Sequence, residues 1–330
     1  MRGAVSGTRV VQVVLLAVAV ASPWFGLPRL DTALVATACL YGIAASGVNL
    51  MFGYGGMLSL GSGLFLGLGA YGVGIGTQHW HWPAGVSILA AVAASVVVAA
   101  LLGSLLVRLS GHYFAVATLG LAAAYAGLLV VFPDLTGGAS GLTTARRLDL
   151  GPLVVNTNLE WYVLLLVVTA VMLLLFDRLV AGKRGRILRL VRHDELAAAV
   201  LGVPVFRVKL AAFVAGGFYA GVAGSLLFLF QGLVVPDTVG IVPSVQLAAL
   251  VVVGGLGLRL GGVIGAFAIL WLQALLNGFG NFELVVYGAV FLAVMFLLPQ
   301  GLEGAVLELW SRFGRRTGRR GAPALGPTAG

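Results

Sequence analysis

Between Asp31 and Arg108 the chain carries no lysine, arginine, aspartate or glutamate, and later segments repeat the pattern in charge-free apolar runs. A run of about 20 such residues is enough to cross a hydrocarbon core of ~30 Å. Several of them in a chain of 330 residues, 60% hydrophobic and only 9% charged, constrain it to a polytopic integral membrane protein.

In hydrocarbon every backbone amide must be satisfied within the structure, and the runs far exceed the ~10 alternating residues of a barrel strand. The expectation is an all-α helical bundle of about ten transmembrane helices. Apolar stretches between polar punctuation put them near Val10 to Phe25, Ala33 to Phe52, Met57 to Thr77, Ala84 to Val107, Tyr113 to Phe132, Leu159 to Phe176, Leu210 to Leu233, Ser244 to Val253, Gly261 to Phe279 and Leu284 to Leu298.

Against this background one basic island stands out. Arg178, Lys183, Arg184, Arg186, Arg189, Arg192, Arg207 and Lys209 are eight of the 20 basic residues. Placing the island in the cytosol puts Arg2, Arg9, Arg108, Arg259, Arg312, Arg315, Arg316, Arg319 and Arg320 on the same side and leaves only Arg29, Arg146 and Arg147 outside. This satisfies the positive-inside rule and places both termini in the cytosol. The net charge of +9 is then a topology signal and a match to anionic lipid rather than a nucleic-acid surface.

Arg2, Arg9, the apolar segment after them and Ala19-Val20-Ala21 fit a retained first span, and also a signal peptide with its small-residue cleavage site. Either keeps Lys183 inside. We read residues 1–311 as one transmembrane domain with a cytoplasmic loop at 181–209, and 312–330 as a basic, disordered cytoplasmic tail. The single cysteine, Cys39, excludes an internal disulfide.

Within the island, His193 to Pro204 spells a short helix. Asp194 suits the N-cap, Glu195 the positive dipole end and Gly202 the C-terminal stop, while Pro204 prevents continuation. A body of about seven residues is marginal alone in water, so its Ala and Leu face calls for packing against the protein's own helix ends or a partner's groove.

Glycine is the other marked feature. Twelve glycines fall between Gly42 and Gly76, a density that suits close helix packing and equally suits broken or re-entrant segments lining a pathway. Gly254-Gly255 to Gly261-Gly262 forms a second cluster on the same predicted side as Gly53 to Gly56. Asn49, Tyr54, Gly55, Gly56 and Ser59, beside the first break, are the candidate substrate-pathway residues, since sparse donors and acceptors suit a weakly held zwitterion. Gly67-Leu68-Gly69-Ala70-Tyr71-Gly72 matches a dinucleotide fingerprint, yet it lies in a predicted span without the strand the motif needs, and we reject it.

No phosphate-binding loop occurs, and the acidic residues all sit at segment ends or in loops, which disfavours a carboxylate proton relay. His79-Trp80-His81-Trp82 reads as an aromatic belt rather than a metal site. The loop from Pro133 to Asn158, the longest outer one, could receive an external protein. No nucleophile, base and orienting acid come together at recognisable spacing, so the chain reads as a non-enzyme. On these grounds a pump subunit, an ion-coupled secondary transporter and a channel remain open.

An ordered set of motifs resolves the choice: Ser46-Gly47-Val48-Asn49-Leu50-Met51-Phe52-Gly53-Tyr54-Gly55-Gly56-Met57-Leu58-Ser59-Leu60-Gly61, then Tyr113 to Leu119, Thr136 to Leu142, Gly185-Arg186 with Arg192 to Glu195, Val253 to Gly257, Tyr287-Gly288 and Pro299 to Leu302. Over residues 40–302 the chain resembles the M-type permease of the branched-chain amino-acid ABC importers. The resemblance implies a bacterial inner-membrane subunit forming half of a translocation pathway for leucine, isoleucine and valine, or in related systems urea, amides or other amino acids. It implies an H-type permease partner, two cytoplasmic ATPases that bind the ATP, an external binding protein and no cofactor in the chain itself. It also makes the capped helix a coupling helix, through Arg192, His193, Asp194, Glu195, Ala197, Ala198, Leu201 and Gly202. His193 stands where the family commonly has an acidic residue, and the Arg-rich tail has no counterpart.

Overall fold

The computed structural model describes residues 32–144, 148–149, 154–276, 288 and 301–304. The expected spans near Val10 to Phe25 and Leu284 to Leu298, the basic tail and Arg146 and Arg147 lie outside the described residues, apart from the single position Gly288.

The other eight expected spans are helices. They are α1 (Thr32–Val48), running on as a π-helical turn over Asn49–Tyr54, α2 (Ser62–Gln78), α3 (Ala84–Leu106), α4 (His112–Val131), α5 (Asn158–Ala181), α8 (Val205–Gln231), α9 (Ile241–Gly254) and α10 (Gly261–Leu276). Among the described residues, six helical segments are long and apolar enough to cross a membrane, α9 only when counted with the 3-10 turn before it as Pro236–Gly254; α2 and α10 are shorter than these six segments.

α1 and α8 form the centre, almost wholly buried, with α2, α3, α9, α10 and α5 packed around them. Large rings fill the space: Tyr54, Phe65, Tyr71, Trp161, Phe176, Phe213, Tyr219 and Phe228 are all fully buried. Small residues let the backbones close. A Cβ on Gly224 would stand 1.9 Å from the Leu66 carbonyl oxygen, and one on Gly69 2.2 Å from that of Gly221, so α2 and α8 touch backbone to backbone. α3, α4 and α5 instead turn Leu89, Leu101, Leu105, Val116, Val131, Val167 and Leu174 outward, as lipid-facing helices do.

Two departures from the sequence reading matter. α2 begins at Ser62 rather than near Met57, because residues 56–61, rich in glycine and serine, run without regular structure. α9 is only 14 residues, or ~21 Å, and so falls short of a ~30 Å core. It starts after a 3-10 turn at Pro236–Thr238 and the buried Val239 and Gly240.

The described residues of the loop that follows α4 hold several short elements. A helical turn at Pro133–Thr136 and a 3-10 turn at Gly138–Ser140 lead to β1 (Leu142–Thr143), while β2 (Leu148–Asp149) pairs antiparallel with β3 (Val154–Val155). β1 pairs antiparallel with β4 (Leu233–Val234), tying this loop to the end of α8. Thr157 and Glu160 cap α5 reciprocally, each satisfying the other's backbone amide.

Candidate coupling and pathway site

The basic island, expected as a loop with one short helix, holds two: α6 (Lys183–His193) and α7 (Glu195–Val200). α6 is amphipathic. Gly185, Leu188 and Val191, three residues apart, face inward, while Arg184, Arg186 and Arg189 remain exposed.

α7 forms for the reasons its ends supply. The Asp194 carboxylate accepts from the Ala197 amide at 2.9 Å. At the other end Gly202 takes a left-handed φ of +78°. Its amide donates to Ala199 O at 2.9 Å, and that of Val203 donates to Ala198 O at 3.0 Å. That pair of bonds is a Schellman motif, and glycine adopts its backbone angle without strain.

Glu195 pairs with Lys209 of α8, whose side chain is only 8% exposed. α7 is thereby fixed to a central helix, with Ala198 buried beneath it. Its other face is bare: Leu196, Val200 and Leu201 are 80%, 88% and 71% exposed.

Two residues before the cap, Arg192 reaches back. Its guanidinium donates to the carbonyl oxygen of Gly53, in the π-helical turn of α1, and its stem lies against Gly56. Beside it, the Asn49 side chain uses both ends of its amide on one distant loop. Nδ2 donates to Leu258 O at 2.6 Å, and Oδ1 accepts from Gly257 N at 2.9 Å. A Cβ on Gly53 would sit 2.0 Å from Asn49 Oδ1 and 2.5 Å from Gly257 N. The two glycine clusters that the sequence puts on the same side thus meet here.

Arg259 approaches Asp177 of α5 at 3.7 Å, and the Arg189 guanidinium lies over the Tyr54 ring, 5.9 Å from its centroid. The buried Glu303 carboxylate accepts from Leu260 N at 2.9 Å. Burial pushes that carboxyl up to about 7, opposed by the amides of Leu260 and Gly261 and by Arg259.

The structure therefore gathers Asn49, Tyr54, Gly55, Gly56 and Arg192 at the basic end, and keeps Asp194, Glu195, Ala197, Ala198, Leu201 and Gly202 on the arm beside them, with His193 at the end of α6. Ser59 stands apart, buried near Gly61, whose amide points to its hydroxyl at 3.4 Å. Asn49 and Tyr54 are fully packed, so they act as fasteners in this conformation. Sequence reasoning missed Gly257, Leu258, Asp177, Arg259 and Glu303 as parts of this knot. The sequence signals available were Arg259 between two glycine pairs and a lone Glu303 just past the last apolar run.

Apolar helices around two buried ones, with ion pairs at one end, define the class as a multi-pass helical membrane protein. The family model described as the branched-chain amino acid transport system / permease component matches residues 32–298, and the chain belongs to that family. It is 28% identical to the high-affinity branched-chain amino acid transport system permease protein LivM of Salmonella typhimurium over 311 residues, 87% of this chain and 73% of that protein. It is also 28% identical to LivM of Escherichia coli K12, over 91% of this chain and 76% of that one. The LivH permease of Salmonella typhimurium is 31% identical over 125 residues, 37% of this chain and 40% of LivH. No solved structure matches the chain.

Proposed function

We propose that the chain is the M-type permease subunit of an ATP-driven importer, forming half of a translocation pathway for branched-chain amino acids in a bacterial inner membrane, with its basic end and both termini in the cytosol. The shorter likeness to LivH favours a related, non-identical permease as the other half. Two ATPase subunits would bind and hydrolyse the ATP below, and an external binding protein would deliver the substrate.

The observation that carries the coupling role is α7: a helix capped at both ends, pinned to α8 by Glu195 and Lys209, yet with Leu196, Val200 and Leu201 open to water. A partner's apolar groove suits such a face. Closure of the ATPases would push α7, and two links pass the push on: Glu195 to α8, and Arg192 to the Gly53 carbonyl of α1. From α1, Asn49 carries it to the 257–258 loop, so that both central helices move together.

The test is ATP hydrolysis and leucine uptake by the reconstituted complex of this chain with its permease partner, ATPases and binding protein. Leucine-loaded binding protein should stimulate hydrolysis. In a complex that assembles normally, the double change Asp194→Ala and Glu195→Ala should sharply reduce uptake per ATP hydrolysed; wild-type uptake removes the coupling role. An assembled complex indifferent to leucine moves the substrate to another amino acid, urea or an amide.

A further inference from the structure

α2 begins inside the bundle, and α9 begins against it, with Gly240, Pro243 and Ser244 buried and Ile241 and Val242 facing outward. The Gly63 amide, second in α2, donates to the Ser244 hydroxyl, fourth in α9, at 2.8 Å. A Cβ on Gly63 would stand 2.5 Å from Gly240 O. The level is set by α4, whose Thr118 hydroxyl accepts from Leu60 N at 3.0 Å about two turns from the end of that helix. The two first turns thus face one another between the two ends of the bundle.

Each helix start carries about half a positive charge; the amides left over are that of Ser62 in α2 and those of Ile241 and Val242 in α9, since Gly63 N, Leu64 N and Ser244 N are bonded and Pro243 has none. Neither start is neutralised by a charge: Gly61 and Gly240 are the N-caps and bring no side chain, the cap that reaches across is the neutral Ser244 hydroxyl on Gly63 N, and neither first turn holds an acidic residue. The closest acid before α9 along the chain, Asp237, is exposed in the preceding 3-10 turn. Two like partial charges in a dry interior are unfavourable unless an anion comes between them.

A second observation points the same way. Ser62, the first residue of α2, is fully buried, and its hydroxyl has no hydrogen-bond partner. Side chains lean toward the N-terminus of their helix, so this oxygen leans into the mouth that the two helices share. Its neighbours are already engaged. Ser244 Oγ also donates to Gly240 O at 2.9 Å, and Thr118 Oγ1 donates to Ala115 O at 3.0 Å.

We propose that the junction of the α2 and α9 N-termini, with Ser62, is a waypoint for the α-carboxylate of the transported amino acid. This rests on the importer reading above. Ser62 Oγ and the Ser62 amide donate to the carboxylate at the positive ends of the two helices, and the side chain of the substrate is left to the surrounding apolar wall. With Ser59, Ser62 and Ser244 all buried, the junction is closed in this conformation and opens only as access alternates. The described residues of the junction include no fixed cation, so the hold is weak, as passage requires.

The test uses the complete complex carrying Cys39→Ser and Ser62→Cys. During ATP turnover, labelling of the new thiol by anionic 2-sulfonatoethyl methanethiosulfonate should outpace labelling by the cationic trimethylammonium reagent by roughly tenfold, and leucine-loaded binding protein should slow it. Equal rates, a cationic preference, or no labelling by either reagent in a turning-over complex overturns the proposal. Ser62→Ala, which removes only the hydroxyl, should lower leucine uptake per ATP severalfold; unchanged uptake overturns it equally. Hydrolysis measured in the same samples separates the two readings. If leucine-loaded binding protein stimulates hydrolysis and the charge preference is missing, only the waypoint fails. If it does not, the leucine assignment fails on its own account.

Discussion

The two ends of α1 and α2 that meet around Gly53 to Ser62 are held in opposite ways. At the basic end the fasteners are charged or double: the Arg192 guanidinium on Gly53 O, both halves of the Asn49 amide on one loop, Glu195 on Lys209, and Glu303 on Leu260 N. At the α2–α9 junction they are single hydroxyls, Ser244 and Thr118, among glycines. A charge-assisted or bidentate contact is directional and resists sliding, whereas one neutral bond yields easily. One region is suited to passing a displacement on, the other to letting something through.

The change expected to strain this contrast most is Gly53→Ala. Its methyl would collide with Asn49 Oδ1 and Gly257 N, 2.0 and 2.5 Å away, so overpacking should cost about 1–3 kcal/mol and loosen the clamp as well. The purified permease pair should melt several degrees lower, and an unchanged melting temperature would show that the knot is slack. Next comes Asn49→Ala, which strands Gly257 N and Leu258 O. Stranded groups cost about 1–3 kcal/mol, and hydrolysis should continue while uptake per ATP falls roughly tenfold. Ser244→Ala is its counterpart at the junction and should cost only about 1 kcal/mol. If thermal denaturation ranks Ser244→Ala above Asn49→Ala, the distinction between the two regions collapses.

The smallest effect concerns pH. The Glu303 carboxyl is raised from 4.5 to about 7, so the folded chain holds a proton that the unfolded chain releases. Its contribution is therefore full below about 4.5 and is lost as pH rises through about 7. Glu303→Gln, fixed in the neutral form, should flatten that decline and melt higher than the parent at pH 8 in a denaturation series.

How much of this was legible in the sequence follows from where each signal lies. Spans were readable because the absence of charge between Asp31 and Arg108 is local, and α7 because Asp194, Gly202 and Pro204 bracket it within a few residues. α6 was hidden because its inward face is only Gly185, Leu188 and Val191 amid arginines, which reads as a solvated loop. The late start of α2 reflects tertiary packing: residues 56–61 follow α6 and α4 instead of their own apolar pattern. Asn49 could be picked out as a polar group in an apolar run, but its partners lie more than 200 residues away, and no spacing rule reaches that far.

The bare face of α7 also bears on the life of the chain before assembly. If α7 seats an ATPase subunit as proposed, a newly made copy lacking that partner would expose Leu196, Val200 and Leu201. Apolar patches of this kind invite aggregation. The six residues of α7 therefore make solitude costly, and they favour cells that make the subunits together and in matched amounts.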